Sequence, residues 1–177
     1  VEVTLPDGKK QVIDVDQSIR GDTTLEGLAQ LKPSFKPDGQ ITAGNSSPLN
    51  AGATAIMLMS KERAKAMGLK PLATIVSMGW AGVDPTVMGK GPVPASRMAL
   101  EKAGLTVKDI DYWEINEAFA IVTLYAIKQL GIDPEKVNIK GGAIAIGHPL
   151  GASGNRLVGT LARILNLKKG TFGIATA

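Results

Sequence analysis

The chain has 177 residues, of which 44% are hydrophobic and 20% charged, and its formal net charge is +4. This length allows one ordinary domain with a sizeable core, and the composition argues against intrinsic disorder. No apolar run approaches the roughly 18 residues of a membrane helix, so we expect neither a membrane span nor a signal peptide. The chain contains no cysteine, which excludes disulfides, thiolate metal sites and a thiol nucleophile among these residues.

The first part of the chain predicts a hairpin followed by a short helix. Within residues 1–15, VEVTL and QVIDV alternate apolar and polar residues on either side of the turn residues Pro6–Gly8. Thr23 and Glu26 have the spacing of a capping box, which predicts a helix that starts at Thr23 and stops before Pro33.

Beyond a loop over residues 33–48, which is rich in Pro, Gly, Asn and Ser, predicted helices and strands alternate. Residues 49–59 are apolar on every side, which predicts a helix buried between two layers. The other predicted helices are 61–67, 94–103, 116–130 with Asn116 as N-cap, and 153–165. The predicted strands are 71–79, 110–115, 137–141 and 170–177. This alternation is typical of an α/β fold with a covered sheet.

Charge is unevenly placed along the chain. Acidic residues stop at Glu135, and the rest of the chain carries only basic charges. These are Lys136, Lys140, Arg156, Arg163, Lys168 and Lys169. Such an end can face a polyanion, such as nucleic acid or a phosphorylated cofactor, or it can be a solvated surface. Because no zinc-finger spacing or basic, aromatic-rich motif occurs, we predict no nucleic-acid partner.

The densest local signal is the glycine-rich segment GGAIAIGHPLGASG, residues 141–154, around the only histidine of the chain. Pro149 restricts His148 to an extended backbone, and the amides at the start of the following helix favour negative charge. Three interpretations remain open on these residues alone. The segment is a catalytic histidine on a rigid turn, a glycine turn with a structural histidine, or a phosphate-binding loop that lacks the Walker and GxGxxG patterns.

Two further segments are candidates for a site. NEAFA, residues 116–120, follows a predicted strand directly, and ligands of α/β proteins bind at the carboxyl ends of strands. Asn116 is equally suited to a plain N-cap, and Glu117 fits ordinary first-turn helix chemistry, so we do not assign it as a base. The loop Thr42–Ser47 is built of small residues that would let an extended ligand lie close to its backbone.

The spacing of NEAFA and the GHP segment resembles that of the thiolases, specifically those of the acetyl-CoA acetyltransferase type. Segments 23–35, 42–53, 83–97 and 135–142 also resemble that family, so the resemblance covers nearly all of the chain. It implies a thiolase-like α/β fold, in which this chain is the C-terminal half of a five-layer αβαβα arrangement, incomplete at its last strand. Residues 1–48 are then the end of a coenzyme-binding loop domain, and residues 49–177 a truncated C-terminal domain.

The resemblance also implies roles for individual residues in ping-pong Claisen chemistry, in which an enzyme cysteine carries the acyl group. His148 would donate a hydrogen bond to the thioester oxygen, and Asn116 would hold a water that is the second donor. Losing one donor of such an oxyanion hole typically costs about 100- to 1000-fold in rate. The implied coenzyme A contacts are Ser47 at the pantetheine arm, Arg20 near the nucleotide, and Phe35, Ala43, Met88, Ala118 and Phe119 along the pantetheine tunnel.

The resemblance is incomplete in one important respect, since both catalytic cysteines of the family are missing here. The nucleophile belongs to the family's N-terminal half, and the acid–base cysteine to a CIGGG-type segment expected after Ala177. Pro48 and Ala51 also replace an expected glycine and aspartate. We therefore expect the chain to need an N-terminal thiolase half and to be inactive alone.

Several wider expectations follow from the same resemblance. The substrate would be an acyl-CoA with a short acyl chain, since Met88 and Phe119 narrow the pocket, and no metal or covalently bound cofactor is expected. We also expect a cytoplasmic homo-oligomer, a dimer or tetramer. The alternatives are a non-catalytic coenzyme A binding or assembly module derived from a thiolase, and an α/β scaffold without a ligand.

Overall fold

The first residues of the chain fold as the hairpin that their alternation predicts. In the computed structural model, which describes residues 1–16 and 18–177, strand β1 (Glu2–Thr4) runs antiparallel to strand β2 (Lys10–Val12). Gly8 adopts a φ of +83° in the turn, where its amide donates to the carbonyl of Leu5. A glycine suits this position because residues with a Cβ rarely adopt positive φ.

Helix α1 spans Leu25–Ala29 and is capped by a different threonine from the one that the sequence suggests. Thr24 is the N-cap, and its hydroxyl accepts from the amide of Gly27 at 3.0 Å. The prediction that the helix starts at Thr23 with Glu26 completing a capping box is wrong. Both threonines are good cap residues, and the sequence pattern does not discriminate between neighbours.

The chain divides into two compact units, Val1–Leu31 and Lys32–Ala177. At the centre of the second unit, strand β3 (Tyr112–Ile115) pairs with strand β4 (Gly173–Thr176) in parallel. Parallel strands need a long crossover connection, and here that connection is helical. The helices of this unit are α2 (Lys61–Ala66), α3 (Pro92–Ala103), α4 (Ala120–Leu130), α5 (Ala143–Ile146) and α6 (Leu150–Lys168).

An apolar cluster packs on strand β3. Trp113 and Ile115 are its members from the strand, and the rest comes from the connecting helices and turns, with Val93, Leu100, Ile110, Ala126 and Ile132. Helix α6 packs on both strands, and its Leu157 and Leu161 are buried as well. The α/β class and the predicted positions of α2, α3, β3 and β4 are confirmed. None of the helices in the described part of the chain is long and apolar enough to cross a membrane.

Two predicted elements are absent from the described chain. Residues 49–59 form no helix and residues 71–79 form no strand. An all-apolar helix requires cover on every side, yet Met57 is 82% exposed. A strand likewise requires a hydrogen-bonded neighbour, and no strand of the described chain pairs with residues 71–79.

The predicted strand over 137–141 is reduced to one isolated bridge between Val137 and Trp113. Asn138 follows with a φ of +47°, which turns the chain away from the edge of β3. Helix α6 starts at Leu150, three residues earlier than predicted, and the short helix α5 lies inside the glycine-rich segment that was predicted to be a turn.

Candidate active site

Asn116 lies directly after β3, at the carboxyl end of the strand. Helix α4 begins only at Ala120, and its N-cap is Phe119, which makes no side-chain capping bond. The prediction that Asn116 caps this helix is therefore wrong. The chain is held out of the helix because Phe119 bridges to Ser46 in antiparallel fashion. The side chain of Asn116, which is 5% exposed, is thereby available for other contacts.

His148 is held from two sides of the glycine-rich segment. Its amide faces Oδ1 of Asn50 at 3.1 Å and the carbonyl oxygen of Pro48 at 3.4 Å. Gly147 precedes it with a φ of +99°, and a Cβ at that position would overlap the side chain of Asn50. The turn therefore needs glycine for both its backbone angle and its close approach to the loop, which fixes where the imidazole lies.

The two residues meet through their side chains. Nδ2 of Asn116 lies 3.3 Å from Nε2 of His148, and Nδ1 of His148 lies 2.6 Å from Oγ of Ser153 in the first turns of α6. The Ser153 hydroxyl also lies 3.2 Å from the carbonyl oxygen of Pro149. Since a hydroxyl has one proton, it donates either to that carbonyl or to Nδ1. In the first state Nδ1 donates to Oγ, and Nε2 accepts from Nδ2 of Asn116. In the second state Nε2 carries the proton, and since Nδ2 of Asn116 is itself a donor, the imidazole is free to donate to a third group beside it.

Glu117 ties the surrounding segments together. Its carboxylate accepts from Nδ2 of Asn138 at 2.6 Å and from the amide of Ile144 at 3.1 Å. Asn138 also bonds both backbone groups of Ile115, at 2.8 Å and 2.9 Å, as a neighbouring strand would. Glu117 thus links the end of β3 to α5. These contacts account for its carboxylate without a role as a base.

A buried ion pair joins the strand that precedes Asn116 to the helix that carries Ser153. Nη1 of Arg156 on α6 lies 3.3 Å from Oε2 of Glu114 on β3, and the Glu114 side chain is 0% exposed. Burial raises the pKa of Glu114 to about 7, while the Arg156 charge opposes that rise and the Glu117 charge adds to it. Reasoning from the sequence did not identify this pair, Ser153 or Asn138. One signal in the sequence points to the ion pair. Glu114 lies two residues before Asn116 along a strand, and Arg156 lies three residues after Ser153 along a helix.

Four of the predicted coenzyme contacts lie together beside Asn116. The amide and hydroxyl of Ser47 contact the carbonyl oxygen of Ala118 at 3.1 Å and 3.2 Å. The rings of Phe35 and Phe119 meet edge to face, with 5.9 Å between their centroids. The loop of small residues is therefore attached to NEAFA, and two aromatic rings flank the attachment.

The other three predicted contacts are Ala43, Met88 and Arg20. Ala43 is exposed in a 3₁₀ turn, Ala43–Asn45, and Met88 is exposed in the segment Pro85–Lys90, which packs on α4. Arg20 lies in the first unit, where its carbonyl oxygen accepts from the hydroxyl of Thr23 at 2.9 Å. The described residues contain no cluster of three His, Asp or Glu side chains that could hold a metal ion.

Comparisons with known proteins match nearly the whole chain to one family. Residues 69–177 match the model of the thiolase C-terminal domain, and residues 1–62 match that of the thiolase N-terminal domain. A 3-ketoacyl-CoA thiolase of Hahella chejuensis is 55% identical over 174 residues, which are 96% of this chain and 44% of that protein. The chain thus spans less than half the length of this curated relative.

Solved structures of the same family superpose closely. The acetyl-CoA acetyltransferase of Bacillus anthracis matches with a TM-score of 0.88 and 46% identity, over 99% of this chain and 45% of that one. A human mitochondrial 3-ketoacyl-CoA thiolase in complex with CoA matches with a TM-score of 0.84 and 44% identity, over 94% and 43% of the two chains. Since the two family models match residues 1–62 and 69–177 and the solved structures share the fold, the chain belongs to the thiolase family.

Proposed function

We propose that this chain provides the oxyanion-binding part of a thiolase that acts on coenzyme A thioesters. The reaction is the Claisen condensation of two acetyl-CoA to acetoacetyl-CoA and free CoA, or the reverse thiolysis. The observation that carries the proposal is the pairing of Asn116 with His148, 3.3 Å apart at the carboxyl end of β3. This is the end of a parallel strand at which α/β proteins bind ligands.

The condensation places negative charge on the thioester oxygen of the acetyl-CoA that loses a proton and becomes the attacking enolate. Nε2 of His148 donates to that oxygen once Ser153 donates to Nδ1, and Asn116 supplies the second donor through a bound water. Both side chains are held by neighbouring segments, so they need little reorganisation as the charge develops. Fixed donors of this kind stabilise a transition state more than mobile water does.

The coenzyme A arm would lie along the loop that is attached to NEAFA. Two contacts close to Asn116 in the chain support this: Ser47 contacts Ala118, and the ring of Phe35 meets that of Phe119. We assign Ala43 and Met88 to the same tunnel and Arg20 to the nucleotide end. The CoA complex of the human relative supports coenzyme A as the ligand. We further propose short acyl chains as substrates, and residues 1–48 and 49–177 as the two functional parts.

The acyl carrier must come from outside these residues, because the chain contains no cysteine. We propose that an N-terminal thiolase half supplies the nucleophilic cysteine, and that this chain alone has no thiolase turnover. We also propose that the assembled enzyme is a homo-oligomer that works in the cytoplasm.

A chimera with the Hahella chejuensis relative tests this function. The chain replaces the segment that it matches at 55% identity, so that the remainder of the relative supplies everything else. We expect the chimera to cleave acetoacetyl-CoA with CoA, and the chimera carrying His148→Ala to lose about 100- to 1000-fold of the rate. The isolated chain is the negative control, and longer 3-ketoacyl-CoA substrates measure chain-length preference. A His148→Ala chimera as active as the parent would overturn the proposal.

A further inference from the structure

Glu114 and Arg156 lie on the same strand face and helix face as two residues of the site, but they form no hydrogen bond with Asn116 or His148 among the described residues. Glu114 precedes Asn116 by two residues at the end of β3, and residues two apart project from the same face of a strand. Arg156 follows Ser153 by three residues on α6, and residues three apart lie on one face of a helix. The strand face and the helix face are the two surfaces that meet here, because α6 packs against β3.

Two links therefore join the same strand to the same helix. One runs from Asn116 through His148 to Ser153, with contacts of 3.3 Å and 2.6 Å. The other is the ion pair between Glu114 and Arg156, at 3.3 Å. A rotation of α6 about its axis that separated Ser153 from His148 would move Arg156 in the same sense.

The other contacts between α6 and the sheet involve apolar side chains such as Leu157 and Leu161, and hydrophobic contact is non-directional. Hydrogen bonds with loop segments reach the helix nearer its two ends, at Ala152 and Asn166. The ion pair is a directional contact between the helix and β3 itself, and it is buried, since the Arg156 side chain is only 16% exposed. It is thus suited to fix the orientation of the helix relative to the strand.

The hydrogen bonding of this pair is poor for a stabilising salt bridge. It makes a single 3.3 Å contact, while Oε1 of Glu114 and Nη2 of Arg156 are buried with no hydrogen-bond partner among residues 1–16 and 18–177. Burying two charges with so few bonds offsets most of their attraction, and apolar replacements of such pairs are often as stable. The pair therefore contributes to the orientation of α6 more than to the stability of the fold.

We propose that Glu114 and Arg156 are positioning residues, whose buried ion pair holds α6 so that Ser153 stays on Nδ1 of His148 and His148 stays beside Asn116. The inference rests on the proposed role of Asn116 and His148 as oxyanion donors. It adds a pair that contacts no substrate and acts through Ser153.

Because His148 is the only histidine of the chain, its imidazole can be observed without interference. The full chain is labelled with ¹⁵N-histidine, and a long-range ¹H–¹⁵N correlation reports which ring nitrogen carries the proton. We expect Arg156→Met to move both ring ¹⁵N shifts toward those of Ser153→Ala, in which the Nδ1 contact is removed directly. Arg163→Met is the matched control, since Arg163 is an exposed arginine of the same helix, and it should leave the shifts unchanged. An Arg156→Met spectrum identical to that of the parent chain would overturn the proposal.

A second variant separates positioning from folding. Arg156→Met leaves Glu114 buried without its partner, which is strongly destabilising in general, whereas Glu114→Gln with Arg156→Met removes both charges. We expect the double variant to keep the parent's Trp113 indole signal, as a report of the intact core, while its His148 shifts still differ from those of the parent. Parent-like His148 shifts in the double variant would show that the pair does not position the imidazole.

Turnover of the chimera provides an independent readout. Misplacing a donor lowers kcat, so we expect Arg156→Met to cut kcat by about 10- to 100-fold with KM nearly unchanged. An increase in KM with kcat intact would instead overturn the positioning role. If the parent chimera itself had no thiolase activity, the proposed function would fail, while the ¹⁵N spectra would still decide whether the pair holds the imidazole.

Discussion

The surroundings of the Asn116–His148 pair and the segment over residues 51–80 are built in opposite ways. Around the pair, side chains bond to backbone and to each other across four separate parts of the chain. Residues 51–80 contain only the short helix α2, and large apolar side chains such as Met57 and Trp80 are 82% and 70% exposed. Isolated side-chain bonds hold this segment, for example from Ser77 to the carbonyl oxygen of Ala99.

This difference shows that apolar composition does not by itself produce an element. The segment over 51–80 is rich in large apolar residues, yet it has no ladder of hydrogen bonds and most of those side chains are exposed. The site is more polar, and it is the better defined of the two because several of its side chains bond to specific partners in other segments. Four measurements test this contrast.

Amide hydrogen exchange should separate the two regions most strongly. The amides of β3 and β4 lie in a paired ladder, whereas residues 51–59 have no regular hydrogen bonding. We expect exchange in the ladder to be slower by about 1000-fold or more, since protected core amides open only with much of the structure. Mass spectrometry of peptides from both regions of the isolated chain measures this. Similar protection in both regions would mean that the contrast is wrong.

Two glycines of the site segment give the next largest effect. Both Gly147 and Gly141 have positive φ, but only at Gly147 would a Cβ overlap another residue, Asn50. We expect Gly147→Ala to lower the free energy of unfolding by about 3 kcal/mol, because strain and overpacking add. Gly141→Ala should cost about 1 kcal/mol from backbone strain alone. Urea unfolding measures both, and equal losses would show that Asn50 does not constrain the turn.

Glu114 should make stability depend on pH. Its pKa is raised to about 7 by burial, from an ordinary value of 4.5, so the folded chain keeps a proton that the unfolded chain loses between those values. The free energy of unfolding therefore falls as pH rises from about 4.5 through about 7, by about 1–3 kcal/mol. Glu114→Gln lacks this proton and should show a flatter curve. Denaturant unfolding at several pH values tests it, and parallel curves would contradict it.

The smallest effect concerns the loop attached to NEAFA. The Ser47 hydroxyl contacts Ala118, whereas the neighbouring Ser46 hydroxyl bonds only within the loop, to Thr42. Losing one such hydrogen bond is worth about 1 kcal/mol. We therefore expect Ser47→Ala to raise the KM of the chimera for acetoacetyl-CoA about fivefold with kcat unchanged, and Ser46→Ala to have no effect. Steady-state kinetics of both variants measures this, and equal KM values would remove Ser47 from the coenzyme site.

The sequence predicts those parts of the fold that local patterns control. The hairpin, α3 with its prolines and Gly104, and the strands β3 and β4 all follow from periodicity and turn residues. Helix and strand predictions over 49–59 and 71–79 fail because those elements depend on neighbours that no local pattern encodes. The start of α4 was misplaced for a similar reason, since a long-range bridge from Ser46 to Phe119 overrides the capping preference of Asn116.

The residues of the candidate site also fall into two groups, those that local motifs identify and those that depend on contacts between distant elements. Asn116, His148 and Ser47 were found because their motifs resemble those of a family, and the structure brings them into one region. Ser153, Asn138, Glu114 and Arg156 act through contacts between elements far apart in sequence. Residue type and spacing along one element do not identify such contacts until the packing of β3 against α6 is known.

A double-mutant cycle on Asn116 and His148 in the chimera tests whether the two side chains form one oxyanion site. If both side chains serve one oxygen, Asn116→Ala and His148→Ala should each lower kcat/KM for acetoacetyl-CoA by about 100- to 1000-fold. The loss of kcat/KM in the double variant should then be far smaller than the product of the two single losses. Removing one donor already disrupts the oxyanion hole, so the other donor has little left to contribute. Losses that simply multiply, or an Asn116→Ala chimera with parent activity, would show that the two residues do not form one oxyanion site.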